Sequence, residues 1–462
     1  MLKFKQIKVE LAQAIKNGVY THKLPSIRIH AAQRSVSVST IQKAYLELEL
    51  EGVIVSRPQK GFFVKKNEPL KGHFYGSTAN RVGSAQMLEQ QVLYSLNGEQ
   101  VLPLSSTAPS SVINNEALLN KHHKKALYKA PYKFCFEDEV QGSFELRQAI
   151  SQYIFKLGWC IEPNQLHITS GRREGLMVSL LATKSIGQTV AIESPSSFFF
   201  QASVKQFCSD VVEIPMQQDF HREIALLDEA WQTHRFNVYI TNPNFNDPTG
   251  RVLTNSEKES LLKWAEKRDV ALIEYDRGEL YFGQSRPASL AYLAKANSKV
   301  KVLSIQDFFD TVSSRMNLGF VIGINTNEAI LHAKHTTTEE PNLHAQNLIC
   351  SFITSGDYRK ALMRLRAQLH RNCLEALKIM RLTLPQDVVY TIPTGGPCVW
   401  LELNDEDSSI DLWHKLVVQN IAIAPGTMFS FSDGFASFFR FTYALPWNAR
   451  LASGIKTICQ AI

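Results

Sequence analysis

The 462-residue sequence predicts an α/β protein, a mostly parallel sheet with helices on both faces, preceded by a small N-terminal winged helix-turn-helix. Three observations carry this expectation. From about residue 92 onward, short apolar runs at 189–192, 238–240, 271–273 and 300–305 alternate with helical stretches, the pattern of a buried parallel sheet under crossover helices. Residues 1–66 read differently, as three helices and a hairpin. Charge divides the same way: residues 1–66 hold twelve Lys and Arg against four Glu and no Asp, a net of +8, while the whole chain is +7 and residues 67–462 are left at −1.

In the N-terminal segment, Phe4, Ile7, Leu11 and Ile15 recur at three- and four-residue steps, so the spacing predicts an amphipathic helix that stops near Asn17-Gly18. Leu24-Pro25-Ser26 offers a turn and a cap for a second, short helix over 29–34. A tight turn through Ser35-Val36-Ser37 leads to a third helix, with Ser37 or Ser39 as its cap and Ile41, Tyr45 and Leu48 facing inward, ending at Gly52. The runs 53–56 and 62–64 flank Arg57-Pro58-Gln59-Lys60-Gly61, a hairpin with a basic tip. Concentrated positive charge on so small a unit is the electrostatic footprint of a phosphate-backbone binder.

Residues 67–91 lose periodicity and gather Pro69, Gly72, Gly76, Ser77 and Gly83, which reads as a linker. Farther on, Lys121-His122-His123-Lys124-Lys125 is expected on an exposed helix face. Seven cysteines, widely spaced and free of any CxxC pair, argue against a disulfide framework or a zinc site and point to a reducing cytoplasm. No apolar run is long enough to suggest a membrane span.

The N-terminal motifs Leu24-Pro25-Ser26-Ile27-Arg28, Ser39-Thr40-Ile41-Gln42-Lys43-Ala44-Tyr45 and Glu51-Gly52-Val53-Ile54 resemble, in order, the GntR type of winged helix. The resemblance implies that Arg28 grips a DNA phosphate and that Ser37, Ser39, Thr40, Gln42 and Lys43 line the groove-facing start of the recognition helix. It places Arg57 and Lys60 on the wing. Val38 stands where many such proteins have an arginine, and Gln59 replaces a wing glycine.

The remainder resembles the fold-type I, aspartate-aminotransferase-like proteins. Gly142-Ser143-Phe144-Glu145-Leu146-Arg147, Ile168-Thr169-Ser170-Gly171, Glu193-Ser194-Pro195, Pro248-Thr249-Gly250, Gly278-Glu279-Leu280-Tyr281, Ala424-Pro425-Gly426 and Phe439-Arg440-Phe441 arrive in the family's order. The sequence of winged helix, linker and aminotransferase-like domain is that of the MocR group of regulators. The resemblance implies four segments: a DNA-binding domain over 1–66, a linker over 67–91, a large domain over 92–340, and a small C-terminal α+β subdomain over 341–462.

A pyridoxal phosphate site needs an amine for the imine, a carboxylate at the ring nitrogen and a cup for the phosphate dianion. At the lysine position of the resembling proteins this chain has Asp310, and no lysine occurs from Val302 to Ala333. Asn317 stands where an arginine holds the phosphate, and Asp247 replaces an asparagine that donates to the ring oxygen. A unit charge at about 4 Å is worth roughly 4 kcal/mol at an effective dielectric of about 20, so adding carboxylates to a phosphate cup weighs heavily against binding. Glu274 or Asp276 is the candidate for the ring nitrogen, Arg172 or Arg173 after Gly171 for an anion site at a helix start, Phe198 for stacking, and Arg440 for a substrate carboxylate. The expectation is a DNA-binding regulator that forms a homodimer, holds no covalent cofactor in its pyridoxal-phosphate-shaped site, and takes a small carboxylate-bearing effector. The alternatives are a working pyridoxal-phosphate aminotransferase or a regulator that responds to the cofactor.

Overall fold

The computed structural model describes residues 3–16, 20, 23–50, 53–57, 61–64, 92, 100–129, 140–294, 298–404, 407–432 and 434–462, in two compact units, 1–70 and 71–462. The linker expected over 67–91 and the wing-tip residues Pro58, Gln59 and Lys60 lie outside the described residues.

In the first unit, α1 (Lys3–Lys16), α2 (Ile27–Gln33) and α3 (Val38–Leu50) are followed by β1 (Ile54–Arg57) and β2 (Gly61–Val64). The strands pair antiparallel, Ile54 opposite Val64 and Arg57 opposite Gly61, and Lys23 adds a single bridge to Phe63. Ser26 caps α2 two residues earlier than the expected start, accepting from the Ile29 amide. The core is small: Ile7, Leu11, Leu24, Ile41, Ala44, Tyr45, Leu48 and Ile54 are buried together. Tyr45 ties its parts, because its hydroxyl donates to the Pro25 carbonyl at 2.9 Å and meets His30 Nδ1 at 2.8 Å. Phe4 and Ile15, expected on the inner face, are only partly buried.

The second unit is built on a seven-stranded sheet, comprising β3 (Leu166–Thr169), β4 (Thr189–Ser194), β5 (Asp210–Pro215), β6 (Val238–Thr241), β7 (Ala271–Tyr275), β8 (Val302–Asp307) and β9 (Gly319–Ile324), in the order β3-β9-β8-β7-β6-β4-β5. Only β9 runs against the rest. The helices that matter for the site are α4 (Glu116–Lys129), α5 (Phe144–Lys156) and α6 (Arg172–Ala182). Apolar residues fill both faces: Leu272, Val302, Phe320 and Ile322 join one core, while Ile273, Leu303, Ile305 and Val321 join the other. This alternation is why the strands read as continuous apolar runs. A second, antiparallel sheet pairs Val389–Tyr390, Cys398–Glu402, Phe438–Thr442 and Ala424–Pro425 in that order. The helix Asp357–Thr383 precedes that sheet in sequence and Ala449–Gln460 follows it.

The basic cluster of α4 keeps four exposed side chains but not a fifth. His122 is fully buried, meeting Ser351 Oγ at 2.8 Å and Asp357 Oδ2 at 3.1 Å, and Lys121 joins the same carboxylate at 3.1 Å. Helical periodicity turns one residue of any five-residue run toward the core, and here it is His122.

Candidate functional site

Two groups of polar side chains stand out, one in each unit. In the first, α2 and α3 form the helix-turn-helix. Ser37 closes the N-terminus of α3: its hydroxyl accepts from the Thr40 amide at 3.2 Å and lies 2.9 Å from Ser39 Oγ and 2.7 Å from Thr40 Oγ1. Arg28, Ser37, Ser39, Gln42 and Lys43 are exposed and Thr40 is half-buried, so these side chains are displayed rather than consumed by the core. Lys43 leans back, its ammonium 4.6 Å from the centre of the Phe4 ring. Arg57 ends β1 beside the turn of the hairpin, and Lys60 lies outside the described residues.

In the second unit, the polar groups gather at the carboxyl ends of the parallel strands, where open α/β sheets place their ligands. β7 ends at Tyr275, which pairs in register with Ile305 of β8, and the chain beyond β8 turns back to Asp310. Arg277 Nε donates to Asp310 Oδ2 at 2.9 Å, both groups nearly inaccessible. The Tyr275 hydroxyl lies 3.1 Å from Asp307 Oδ2 and 3.3 Å from Asp310 Oδ2. From the first turn of α6, Arg172 reaches the Tyr275 hydroxyl at 3.2 Å and Asp307 at 3.6 Å, with its guanidinium 4.4 Å from the Phe309 ring. Gly171 is the cap residue of α6 and has φ +89°, a left-handed conformation that favours glycine. Burial pushes the Asp307 carboxyl up to about 6 against the pull of Arg172, and burial with two carboxylates beside it holds the Tyr275 hydroxyl protonated well beyond its usual range.

Arg440 is wholly buried on Phe438–Thr442, and its partner is internal. Its Nη1 donates to Asp247 Oδ1 and its Nη2 to the Ser105 carbonyl, while Phe429 and Phe198 lie against the guanidinium at 4.9 and 5.7 Å. Ser197 donates to the other Asp247 oxygen at 3.1 Å, and the Asp247 amide donates to Asn242 Oδ1 at 3.0 Å. Burial alone would raise the Asp247 carboxyl, yet Arg440 and Arg277 hold it below the ordinary carboxylate value. Phe198 therefore packs on an arginine, and the arginine expected to meet a free carboxylate already holds one supplied by the chain.

Of the two carboxylates considered for a ring nitrogen, Asp276 lines the same cavity as Asp307 and Asp310, and both are already engaged by the chain. Glu274 accepts from the Leu290 and Ala291 amides at 3.0 and 3.1 Å. Asp276 is bound by Arg286, by Asn244 at 2.8 Å and by the Gly278 amide at 2.9 Å. Tyr275 and Arg277 reach Asp310 directly, whereas the partners of Glu274 and Asp276 are Leu290, Ala291, Asn244, Gly278 and Arg286. Asn317 is exposed and takes no part in the hydrogen bonds of the Asp310 cluster. The added carboxylates have cations of the chain beside them: Arg172, Arg277 and Arg440 face Asp307, Asp310 and Asp247.

Among the described residues, the side chains bonded around Asp310 supply no amine for an imine with pyridoxal phosphate. Among the described residues two lysines are fully buried, and both are engaged: Lys258 bonds Asn244 at 2.6 Å and the Ala288 carbonyl at 2.8 Å, and Lys334 bonds the Ile168 carbonyl and Glu174 at 3.1 Å. The cavity beside Asp310 is lined by Tyr153, Tyr358, Asp276, Arg277, Asp307 and Thr311.

Comparison with known proteins agrees with both units. Residues 3–64 match the gntR family of bacterial regulatory proteins, and residues 134–276 match aminotransferase class I and II. The HTH-type transcriptional regulator YjiR of Escherichia coli is 25% identical over 470 residues, covering 100% of this chain and 99% of its own. The HTH-type transcriptional regulator YdcR of the same organism is 26% identical with the same shares. Among solved structures, the α-aminoadipate aminotransferase LysN from Thermus thermophilus, complexed with N-(5'-phosphopyridoxyl)-L-leucine, superposes with a TM-score of 0.72 at 21% identity, over 84% of this chain and 96% of that one. Over its whole length the chain is therefore similar to HTH-type transcriptional regulators, with a gntR-matching region followed by an aminotransferase-fold unit, an arrangement consistent with the MocR-type regulators.

Proposed function

We propose that this regulator reads DNA through α2, α3 and the wing, and that its aminotransferase-like unit serves as a dimerisation and effector-sensing module that forms no Schiff base. The DNA half is supported by displayed side chains, Arg28, Ser37, Ser39, Gln42 and Lys43, on a unit of net charge +8 over 1–66. A dimer would present two such units to a two-fold operator.

The observation that carries the second half is the closed set of ion pairs, with Asp310 on Arg277 and Asp247 on Arg440. Where an amine would be needed there is a carboxylate with its own cation. A small carboxylate-bearing effector would bind by displacing Asp247 from Arg440, so its affinity is reduced by an internal competitor.

The test treats the full-length protein with pyridoxal phosphate and borohydride, then maps modified peptides. The expected result is no adduct within the aminotransferase-like unit; a stoichiometric adduct on any of its lysines overturns the reading. In parallel, duplexes selected from random sequence should bind with an affinity that falls steeply with salt. Binding that ignores salt, or no selected duplex at all, would remove the DNA half.

A further inference from the structure

We infer that Val38 reads the 5-methyl group of a thymine in the major groove and so sets the base preference of this regulator; the inference rests on the DNA-binding reading above. Val38 opens α3 and is 47% exposed, whereas Ile41, Ala44, Tyr45 and Leu48 of the same helix are completely buried. Its only companion among the exposed large apolar residues described in this unit is Ile29, on α2.

Nothing in the fold calls for a valine there. A β-branched residue is a modest helix former, and Ser37 already closes the helix end. The usual device for a helix start is also missing, since the first turn of α3 carries no acidic residue. An acidic group would favour the helix dipole but repel a phosphate backbone.

The neighbours of Val38 decide its ligand. Ser37 and Ser39 flank it, both exposed, with their hydroxyls 2.9 Å apart. The leading turn therefore offers one branched apolar group framed by small hydroxyls. The N-terminal turn of a recognition helix is the part that meets base edges. Guanine and adenine edges call for arginine, lysine, asparagine or glutamine, and an apolar side chain set against them strands their acceptors without partners. Thymine alone presents a methyl group in that groove, and a valine methyl against it removes apolar surface from water on both sides.

The experiment selects duplexes with the full-length protein and then replaces each thymine in turn by deoxyuracil, which deletes only the methyl. At one thymine or more, the replacement should weaken wild-type binding about three- to tenfold, the scale of one buried methyl. In Val38→Ala the ratio between the two bases at that position should fall to about one, while Ile29→Ala should leave it as in the wild type. Loss of affinity at no thymine, or an unchanged ratio in Val38→Ala, overturns the inference while leaving DNA binding intact. Failure to enrich any duplex sinks the DNA-binding reading, and this inference with it.

Discussion

The two units treat their polar side chains in opposite ways. In the winged helix, Arg28, Ser37, Ser39, Gln42 and Lys43 are displayed to solvent around a core that includes Ile7, Leu11, Leu24, Ala31, Ile41, Ala44, Tyr45, Leu48 and Ile54. In the aminotransferase-like unit, the arginines and carboxylates at the sheet's carboxyl end are buried and bonded to one another. A group left in water remains available to a partner, whereas a buried ion pair has already given up its hydration and holds its geometry only while both members stay. Substitutions should therefore separate cleanly. Those in the cleft should act on stability, and those on the winged helix should act on DNA.

The largest effect is expected at Asp247. Replacing it by alanine leaves the Arg440 guanidinium buried with only the Ser105 carbonyl and two aromatic rings for company. Breaking one side of a buried pair typically costs about 3–5 kcal/mol. The urea midpoint of the second unit should drop accordingly, and millimolar formate or acetate should restore part of it by filling the vacated position. An unchanged midpoint would mean that the pair is not what holds this end of the cleft. Asp247→Asn, which keeps an acceptor, should lose less.

A pH effect should follow at Asp307. Its carboxyl ionises near 3.8 when free and is raised to about 6 in the fold, first by burial and with Asp310 adding to it. The folded state thus keeps a proton that the unfolded chain gives up, so the contribution is fully present below about pH 4 and is lost as pH rises through about 6. A shift of this size corresponds to about 2–3 kcal/mol. In Asp307→Asn, stability measured by denaturant titration should fall less between those values than in the wild type. Glu193 and Glu274, both raised from 4.5 to about 7 by burial, should still produce a decline from about pH 4.5 to about 7 in both proteins. Equal slopes in wild type and variant would count against a raised Asp307.

How much of this was legible in the sequence differs between the units as well. Strands 189–192, 238–240, 271–273 and 300–305 announced themselves because burial on both faces makes them continuous apolar runs, and β4, β6, β7 and β8 occupy those positions with ends shifted by a few residues. The replaced residues Asp310 and Asp247 were visible by position, yet their partners were not. Pairing Arg277 with Asp310 joins residues 33 apart, and pairing Arg440 with Asp247 joins residues 193 apart, distances over which no local pattern speaks. Asp276 and Arg277 lie beyond the end of β7 at Tyr275, so strand alternation could not decide between Glu274 and Asp276.

On the winged helix, Arg28→Ala should weaken binding to a selected duplex about three- to tenfold and lower the slope of log affinity against log salt by about one, as expected for a single lost phosphate contact. Its side chain is exposed on α2, so the melting temperature should stay within about a degree. An intact salt slope would show that Arg28 points to solvent in the complex too.

The smallest effects are the sharpest test of the contrast, because they fall on neighbouring serines of the same turn. Ser37 has a structural duty: its hydroxyl accepts from the Thr40 amide at 3.2 Å, and losing such a cap typically costs about 1 kcal/mol. Among the described residues Ser39 has no backbone partner of this kind, and its hydroxyl meets that of Ser37 at 2.9 Å. Ser37→Ala should therefore lower both stability and DNA affinity, while Ser39→Ala should lower affinity with stability unchanged within about 0.5 kcal/mol. If Ser39→Ala destabilises as much as Ser37→Ala, the hydroxyls of this turn belong to the fold, and the division between displayed and consumed polar groups does not hold at the start of α3.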